Sequence, residues 1–144
     1  MANLPVHWVE ARAYAHATED EARVLRALDF ALPGGPPTRE VLRGHFGNPI
    51  VRLTRRHKER DAIRTAWSRW REAGIVPALS FEVEDRVDAD GVLHFRLDKQ
   101  RASLEALALA GDRDAIDVRV RLKAHPAKAE LFLKVARELV SEVR

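Results

Sequence analysis

The chain contains no cysteine and has few amide or thioether side chains. Without cysteine among its 144 residues, it can form neither disulfides nor thiolate metal sites, and it has no cysteine nucleophile. Only Asn3, Asn48, Gln100 and Met1 carry amide or thioether groups. This scarcity is typical of thermophile proteins, although a GC-rich genome produces much of the same bias.

Long apolar runs are also missing. No segment approaches the length of a membrane span, and the N-terminus lacks the apolar core of a signal peptide. We therefore expect a cytoplasmic protein that has no membrane partner. With 46% apolar and 33% charged residues, the composition is that of a globular protein, and its length predicts a single domain over residues 1–144.

Motifs for catalysis and for metal binding are lacking as well. The six histidines form no His-x-x-x-His pair, the serines lie in no nucleophile-elbow context, and no phosphate-binding glycine loop is present. We expect no enzyme, no metal and no cofactor. One alternative stays open, a metal-dependent nuclease that uses the acids of the segment 82–90. Their alternation with Phe81, Val83 and Val87 favours a solvated strand edge for Glu82, Glu84, Asp85, Asp88 and Asp90.

The strongest positive signal is an alternation between Ile116 and His125. Apolar side chains recur at every second position from Ile116 to Ala124, and the positions between them hold Arg119, Arg121, Lys123 and His125 after Asp117. Because side chains of a strand point alternately to its two faces, one face is apolar and the other is cationic. A face with one sign of charge is typical of a surface that binds a polyanion.

The remaining periodicities predict an α+β fold. Strands that are apolar on one side and amphipathic helices indicate a mostly antiparallel sheet with helices packed on one face and a basic open face. The predicted elements are a strand over 5–17, a helix capped at Thr18, a hairpin with arms Arg39–Phe46 and Ile50–Arg55, a helix over Lys58–Ala73, an extended segment over 81–87, a strand over Val92–Leu97, a helix over Gln100–Leu109 capped by Asp98, a strand over 116–125 and a helix from Pro126.

Cationic and aromatic side chains fall on the predicted open face. Between Arg52 and Arg71 eight basic residues face only two acids, Glu59 and Asp61, and this run adjoins the sheet. Trp67 and Trp70 have core spacing on their helix, whereas Trp8 is predicted either on the open face or over the sheet edge. The open face would carry Arg12, Tyr14, His16, Arg52, His94, Arg96, Arg119, Arg121 and Lys123, with Glu10 and Asp117 as acidic exceptions.

Three segments stand out from the rest of the chain. They are His16-Ala17-Thr18-Glu19-Asp20, Gly44-His45-Phe46-Gly47-Asn48-Pro49-Ile50 and Arg96-Leu97-Asp98-Lys99-Gln100. In this order they resemble the signature segments of an archaeal family of predicted RNA-binding proteins that are labelled exosome-subunit-like. The resemblance covers nearly the whole chain. It implies an RNA-binding α+β domain of archaeal origin, with a fold similar to that of the ribosomal protein that binds 5S rRNA.

The sequence therefore predicts a non-catalytic protein that binds structured RNA through the basic sheet face and the hairpin loop. Its partners would be ribosomal RNA or a processing substrate, together with ribosome or exosome components. A protein–protein adaptor in an RNA-processing complex is the alternative that remains open. The predicted RNA contacts are Arg12, Tyr14, His16, His45, Asn48, Arg52, Arg55, Arg56, Lys58, His94, Arg96, Arg119, Arg121 and Lys123.

Overall fold

Five strands and five helices occur in residues 4–44, 46–111 and 114–141, which are the residues that the computed structural model of the protein describes. The strands form one antiparallel sheet in the order β2-β3-β1-β5-β4, and the helices pack on it. The predicted α+β class is confirmed. The elements are β1 (Val6–Ala15), α1 (Glu21–Ala31), β2 (Thr38–Arg43), β3 (Pro49–His57), α2 (Arg60–Glu72), α3 (Ile75–Leu79), a 3-10 helix (Val83–Asp85), β4 (Val92–Asp98), α4 (Lys99–Ser103), β5 (Ala115–Leu122) and α5 (Ala129–Ser141).

Strands β2 and β3 form the predicted hairpin. Their register runs from Thr38 opposite Thr54 to Arg43 opposite Pro49. The amide of Gly44 donates to the carbonyl of Asn48 at 2.7 Å and closes the turn.

The chain divides into two compact units. Unit 1 consists of Met1–Val9, His57–Phe95 and Arg119–Arg144, and unit 2 of Glu10–Arg56 and Arg96–Val118. The single domain over residues 1–144 stays a prediction. In the described part of the chain, none of the helices combines the length and apolar character needed to cross a membrane.

The core of unit 1 is built around aromatic rings. Trp70 of α2 is fully buried and meets Phe95 of β4 edge to face, with ring centroids 5.3 Å apart. Trp67 packs on Trp70 at 5.9 Å in the same edge-on manner. Such pairs add to the burial of apolar area. The prediction that both tryptophans lie in the core is therefore confirmed.

In unit 2, helices α1 and α4 pack against each other. Val24 and Leu28 of α1 and Leu32 at its C-terminal cap are buried, as is Leu97 at the end of β4. The Asp98 carboxylate accepts from the amide of Arg101 at 2.9 Å and caps α4, as predicted.

The predicted N-cap of α1 is wrong. The helix starts two residues after the expected position, because the Asp20 side chain accepts from the amide of Ala22 and serves as the cap. Glu21 does not close a capping box with Thr18; it binds the guanidinium of Arg39 at 2.8 and 2.9 Å.

The predicted extended segment over 81–87 is also wrong, since the chain forms α3 and then a 3-10 helix. Ile75, Leu79 and Val83 are buried at a spacing of four residues, which is close to the helical period of about 3.6, while Phe81 is exposed. Only Val87 makes a strand-like contact, an isolated bridge to Leu93.

Two helix boundaries differ from the prediction. Helix α4 stops at Ser103, because Glu105 adopts a left-handed conformation with φ of 61°. From there the chain returns in an extended form, and Leu109 pairs with Leu97. Pro126 does not start the last helix, because Lys128 donates to its carbonyl in a turn and α5 begins at Ala129.

Gly91 provides a test of packing in unit 1. Its φ is +88°, and a Cβ atom there would lie 2.6 Å from Cε1 of Phe132. We expect Gly91→Ala to lower the free energy of unfolding by about 3 kcal/mol, since backbone strain and overpacking both act. Gly74 is the control, because its φ is +86° and nothing lies within 4 Å of its added Cβ. Gly74→Ala should lower the free energy of unfolding by about 1 kcal/mol, as measured by urea unfolding. Equal losses of stability in the two variants would contradict the packing of Phe132 against Gly91.

Candidate nucleic-acid interface

Arginines of β5 lie against aromatic rings in unit 1. The guanidinium carbon of Arg119 is 5.9 Å from the ring centroid of Trp8, and that of Arg121 is 5.7 Å from the ring of Phe132. Arg121 also donates to the backbone carbonyl of Asp90. Both arginines are partly exposed, and Trp8 is half-buried beside them. Rings of this kind hold a guanidinium in place while its edge stays available to a ligand.

His94 of β4 is oriented by an acid. Its Nε2 is 2.8 Å from Oδ2 of Asp88, and Oδ1 of Asp88 accepts from the amides of Asp90 and Val92. Burial raises the pKa of Asp88, but the hydrogen bonds from His94 and these amides outweigh it and hold the pKa below its usual value. The carboxylate therefore stays charged and fixes the imidazole.

A cationic cleft of unit 1 lies where β1 begins, α2 begins and β5 has ended. It is about 140 Å³ in volume and is lined by Leu4, Val6, His7, Lys58, Arg60, Ile63, Arg64 and Lys123. Every titratable group of this lining is basic. Burial and then the charges of Lys123, Arg121 and His125 lower the pKa of His7, which is the response expected of an imidazole among cations.

In unit 2, Glu10 holds two of the predicted contacts. It is only 4% exposed. Its Oε1 accepts from Nη2 and Nε of Arg56 at 2.9 and 3.2 Å, and its Oε2 is 3.9 Å from Nη2 of Arg12. A carboxylate between two guanidinium groups neutralises much of their charge.

Two further arginines of unit 2 are paired with acids. Arg52 binds Glu40 of the neighbouring strand at 2.9 and 3.1 Å, and hydrogen bonds to Glu40 and then to Tyr14 raise the pKa of Arg52. Arg96 lies 3.1 Å from Asp117. The face that the sequence predicts to be basic is therefore largely charge-balanced in unit 2.

Arg55 does not lie on the open face. Its side chain is 4% exposed, Nη1 is 2.7 Å from Oδ1 of Asp29, and the same nitrogen donates to the carbonyl of Leu32 at 2.8 Å. Its other terminal nitrogen donates to the carbonyl of Gly35. The alternation along β3 puts Arg55 on the same side as buried Leu53. The prediction of an RNA contact here is corrected, because Arg55 joins β3 to the end of α1.

The hairpin tip presents one aromatic ring and one amide to solvent. Phe46 is 87% exposed, and Asn48 is exposed beside it. The carbonyl of Gly47 accepts from Arg43 at 3.2 Å, which fixes the turn. His45, also predicted as a contact, lies outside the described residues.

A buried lysine joins two of the three distinctive segments. Lys99 is only 2% exposed, and its ammonium donates to the carbonyl of Tyr14 at 2.8 Å and to Glu19 at 3.0 Å. It also binds Asp114. Glu19 in turn accepts from the amide of His16 at 3.0 Å. This network fixes the corner between β1 and α1 against the start of α4, so that these segment residues have a clear structural role.

The same cluster is the group in the described residues that could ligate a metal. Ligand atoms of His16, Glu19 and Asp114 lie within 4.8 Å of one another. The ammonium of Lys99 lies among them and already supplies a positive charge. His16, predicted as an RNA contact, is exposed and 3.6 Å from Asp114.

The acids considered for a nuclease are also engaged with basic groups. Glu82 binds Arg86 at 2.9 Å, and Glu84 binds Arg137. With Asp88 bonded to His94, three of the five carboxylates of segment 82–90 have basic partners.

The predicted contacts thus fall into two sets. Unit 1 holds Lys58, His94, Arg119, Arg121 and Lys123, and unit 2 holds the others. His7 was not among the predicted contacts, because the alternation along β1 puts it on the same face as buried Val9. It is nevertheless exposed, since it lies at the start of the strand. Sequence reasoning also missed Asp114 and the network around Lys99, for which the sequence carries no periodic signal.

Archaeal proteins are similar to this chain in sequence and structure. A family described as RNA binding matches residues 8–122. A protein of Pyrococcus abyssi named RNA-binding protein is 33% identical over 146 residues, covering 94% of each chain. Solved structures of DUF54 proteins from Methanothermobacter thermautotrophicus and Archaeoglobus fulgidus are 34% and 33% identical, with TM-scores of 0.83 and 0.84. They cover 94% and 93% of this chain and 98% and 99% of their own.

The Lys99 network predicts a pH-dependent loss of stability. Lys99→Met leaves two carboxylates without their ammonium, and we expect a loss of about 3 kcal/mol near neutral pH. Burial raises the pKa of Glu19, but hydrogen bonds from His16 and Lys99 lower it below 4.5. Its stabilising contribution is therefore complete above that pH and is lost as the pH falls through the lowered pKa.

Urea unfolding at neutral and at acidic pH measures this effect. The difference between wild type and Lys99→Met should shrink in acid, where Glu19 is protonated. Arg101→Met, an exposed position on the same helix, is the matched control and should change little. If Lys99→Met lowers the free energy of unfolding by the same amount at both pH values, the electrostatic role of Lys99 is contradicted.

Proposed function

The chain belongs to the family described as RNA binding, and from this premise we propose that it binds structured RNA without catalysis. The contacts would come from basic side chains that face outward and from the tip of the β2–β3 hairpin. Phosphates provide most of the affinity in such complexes, and the shape of the RNA provides the selectivity.

One observation carries the assignment of residues, which is the nature of the groups that the arginines contact in each unit. Arg52, Arg56 and Arg96 of unit 2 each bond a carboxylate. A carboxylate beside an arginine offsets part of its charge and occupies some of its N–H donors, so its net gain from binding a phosphate is smaller. In unit 1, Arg119 and Arg121 lie against aromatic rings, and a ring contact does not offset the positive charge as a carboxylate does. We assign the principal phosphate contacts to unit 1.

Contacts to bases are assigned to the hairpin tip and to Trp8. An exposed ring such as Phe46 can stack on an unpaired base, and the amide of Asn48 can bond a base edge or a ribose hydroxyl. Trp8 offers a second, partly exposed ring beside Arg119.

The cellular setting that we propose is ribosome assembly or RNA processing, with ribosomal RNA or a processing substrate as the ligand. This part rests on the likeness of the three distinctive segments to exosome-subunit-like proteins. The similarity to the fold of the ribosomal protein that binds 5S rRNA stays a prediction.

Binding of a labelled structured RNA across a salt series tests the assignment. We expect Arg119→Gln/Arg121→Gln to weaken binding and to reduce the steepness of log K against log salt by about 1.5, because each of the two lost phosphate contacts accounts for roughly 0.7–0.9. Fluorescence anisotropy gives both values, and circular dichroism establishes that the variant is folded.

Arg26→Gln/Lys134→Gln is the matched control, because it removes the same charge from exposed positions on α1 and α5. It should keep the wild-type slope. Equal slopes for both variants would contradict the assignment to β5. If no RNA binds the wild type at physiological salt, the proposed function fails and the adaptor alternative takes its place.

A further inference from the structure

The cationic cleft of unit 1 is distinct from the rest of the basic surface in that its lining holds no acid. Arg60 and Arg64 come from the start of α2, Lys58 precedes that helix, Lys123 follows β5, and His7 lies near the start of β1. The cleft measures about 140 Å³, many times the roughly 10–15 Å³ that one water molecule requires. A charged group can therefore enter it and meet cations on several sides.

The lining cations keep most of their capacity to bind an anion. Throughout residues 4–44, 46–111 and 114–141, no carboxylate lies within salt-bridge distance of Lys58, Arg60 or Lys123. Arg64 has one distant acid, with 3.7 Å between its Nη2 and Oδ1 of Asp61, and Asp61 is 95% exposed. An exposed pair at this distance contributes little.

Arg64 also has an unsatisfied donor. Its Nε is buried and has no hydrogen-bond acceptor among the residues that the structure describes. A buried N–H without an acceptor is unfavourable, and an anion that orders the Arg64 side chain would allow it to be satisfied. The first turn of α2 adds the positive end of a 13-residue helix on the same side of the cleft.

From this geometry we propose that the cationic cleft is a phosphate-binding site whose preferred occupant is a phosphate monoester at an end of an RNA chain. The inference rests on the proposed function, since it names the group of the RNA that this cleft takes. A monoester carries about 1.5 to 2 negative charges near neutral pH, whereas each internal phosphodiester carries one. Five basic side chains in a lining that holds no acid favour the group of higher charge.

The pKa of His7 gives a measure of anion binding in the cleft that does not require RNA. Lys123, Arg121 and His125 act on His7 from β5 and the residues after it. Arg60 and Arg64 of α2 and Lys58 just before it line the same cleft. A bound phosphate would offset these charges. The imidazole would then be easier to protonate, and the pKa of His7 would rise.

The first arm of the test uses RNA. Octanucleotides of one sequence that end in a 5′-phosphate, in a 3′-phosphate or in hydroxyl groups alone compete for wild-type protein against a labelled RNA. We expect at least one phosphorylated form to bind about tenfold more tightly than the hydroxyl form. In Lys58→Gln/Lys123→Gln this preference should fall below about twofold, while Arg26→Gln/Lys134→Gln should keep it.

The second arm uses inorganic phosphate and the NMR titration of the His7 ring. At equal ionic strength, phosphate should raise the pKa of His7 by about half a unit relative to chloride, and Lys58→Gln/Lys123→Gln should abolish that rise. If the phosphorylated and the hydroxyl-ended octanucleotides bind equally well and the pKa of His7 does not respond to phosphate, the phosphate-binding site is refuted and the proposed function stays intact. A His7 response without any RNA binding would support the phosphate site and refute the RNA-binding function.

Discussion

Whether a basic side chain already has an acidic partner decides what it can offer to a polyanion. The alternation of the strands predicts a row of arginines, and unit 2 has such a row. There, however, Glu10, Glu40 and Asp117 lie within bonding distance of it. In unit 1 the corresponding side chains lie against rings or line a cleft without acids. Two surfaces with similar residue content therefore have different capacities to bind phosphate.

The sheet and the loops of unit 2 depend on buried ionic contacts. Lys99 joins the carbonyl of Tyr14 to two carboxylates, and Arg55 joins β3 to the end of α1. Removing a charge from water is costly unless several partners compensate for it. Both side chains have several partners, and this explains why these two basic residues are buried.

The sequence predicts those parts of the fold that depend on periodicity. The burial of Ile116, Val118 and Val120 follows from a period of two, and that of Trp67 and Trp70 from a helical spacing. The segment over 81–87 differs from its predicted extended form, because its period of two competes with a spacing of four between buried residues that begins earlier, at Ile75. Arg55 shows a second limit, since a charged residue in a strand indicates solvent unless its buried partners are known. Contacts such as Lys99 with Asp114 depend on tertiary structure and leave no local pattern.

The most direct test of the central claim follows the guanidinium Nε–H signals of the arginines by NMR during addition of RNA. The account predicts that Arg60, Arg64, Arg119 and Arg121 shift first and furthest, that the paired arginines of unit 2 follow weakly, and that buried Arg55 does not respond. If instead Arg52, Arg56 and Arg96 shift while the unit 1 signals stay in place, the assignment of the principal phosphate contacts to unit 1 is contradicted.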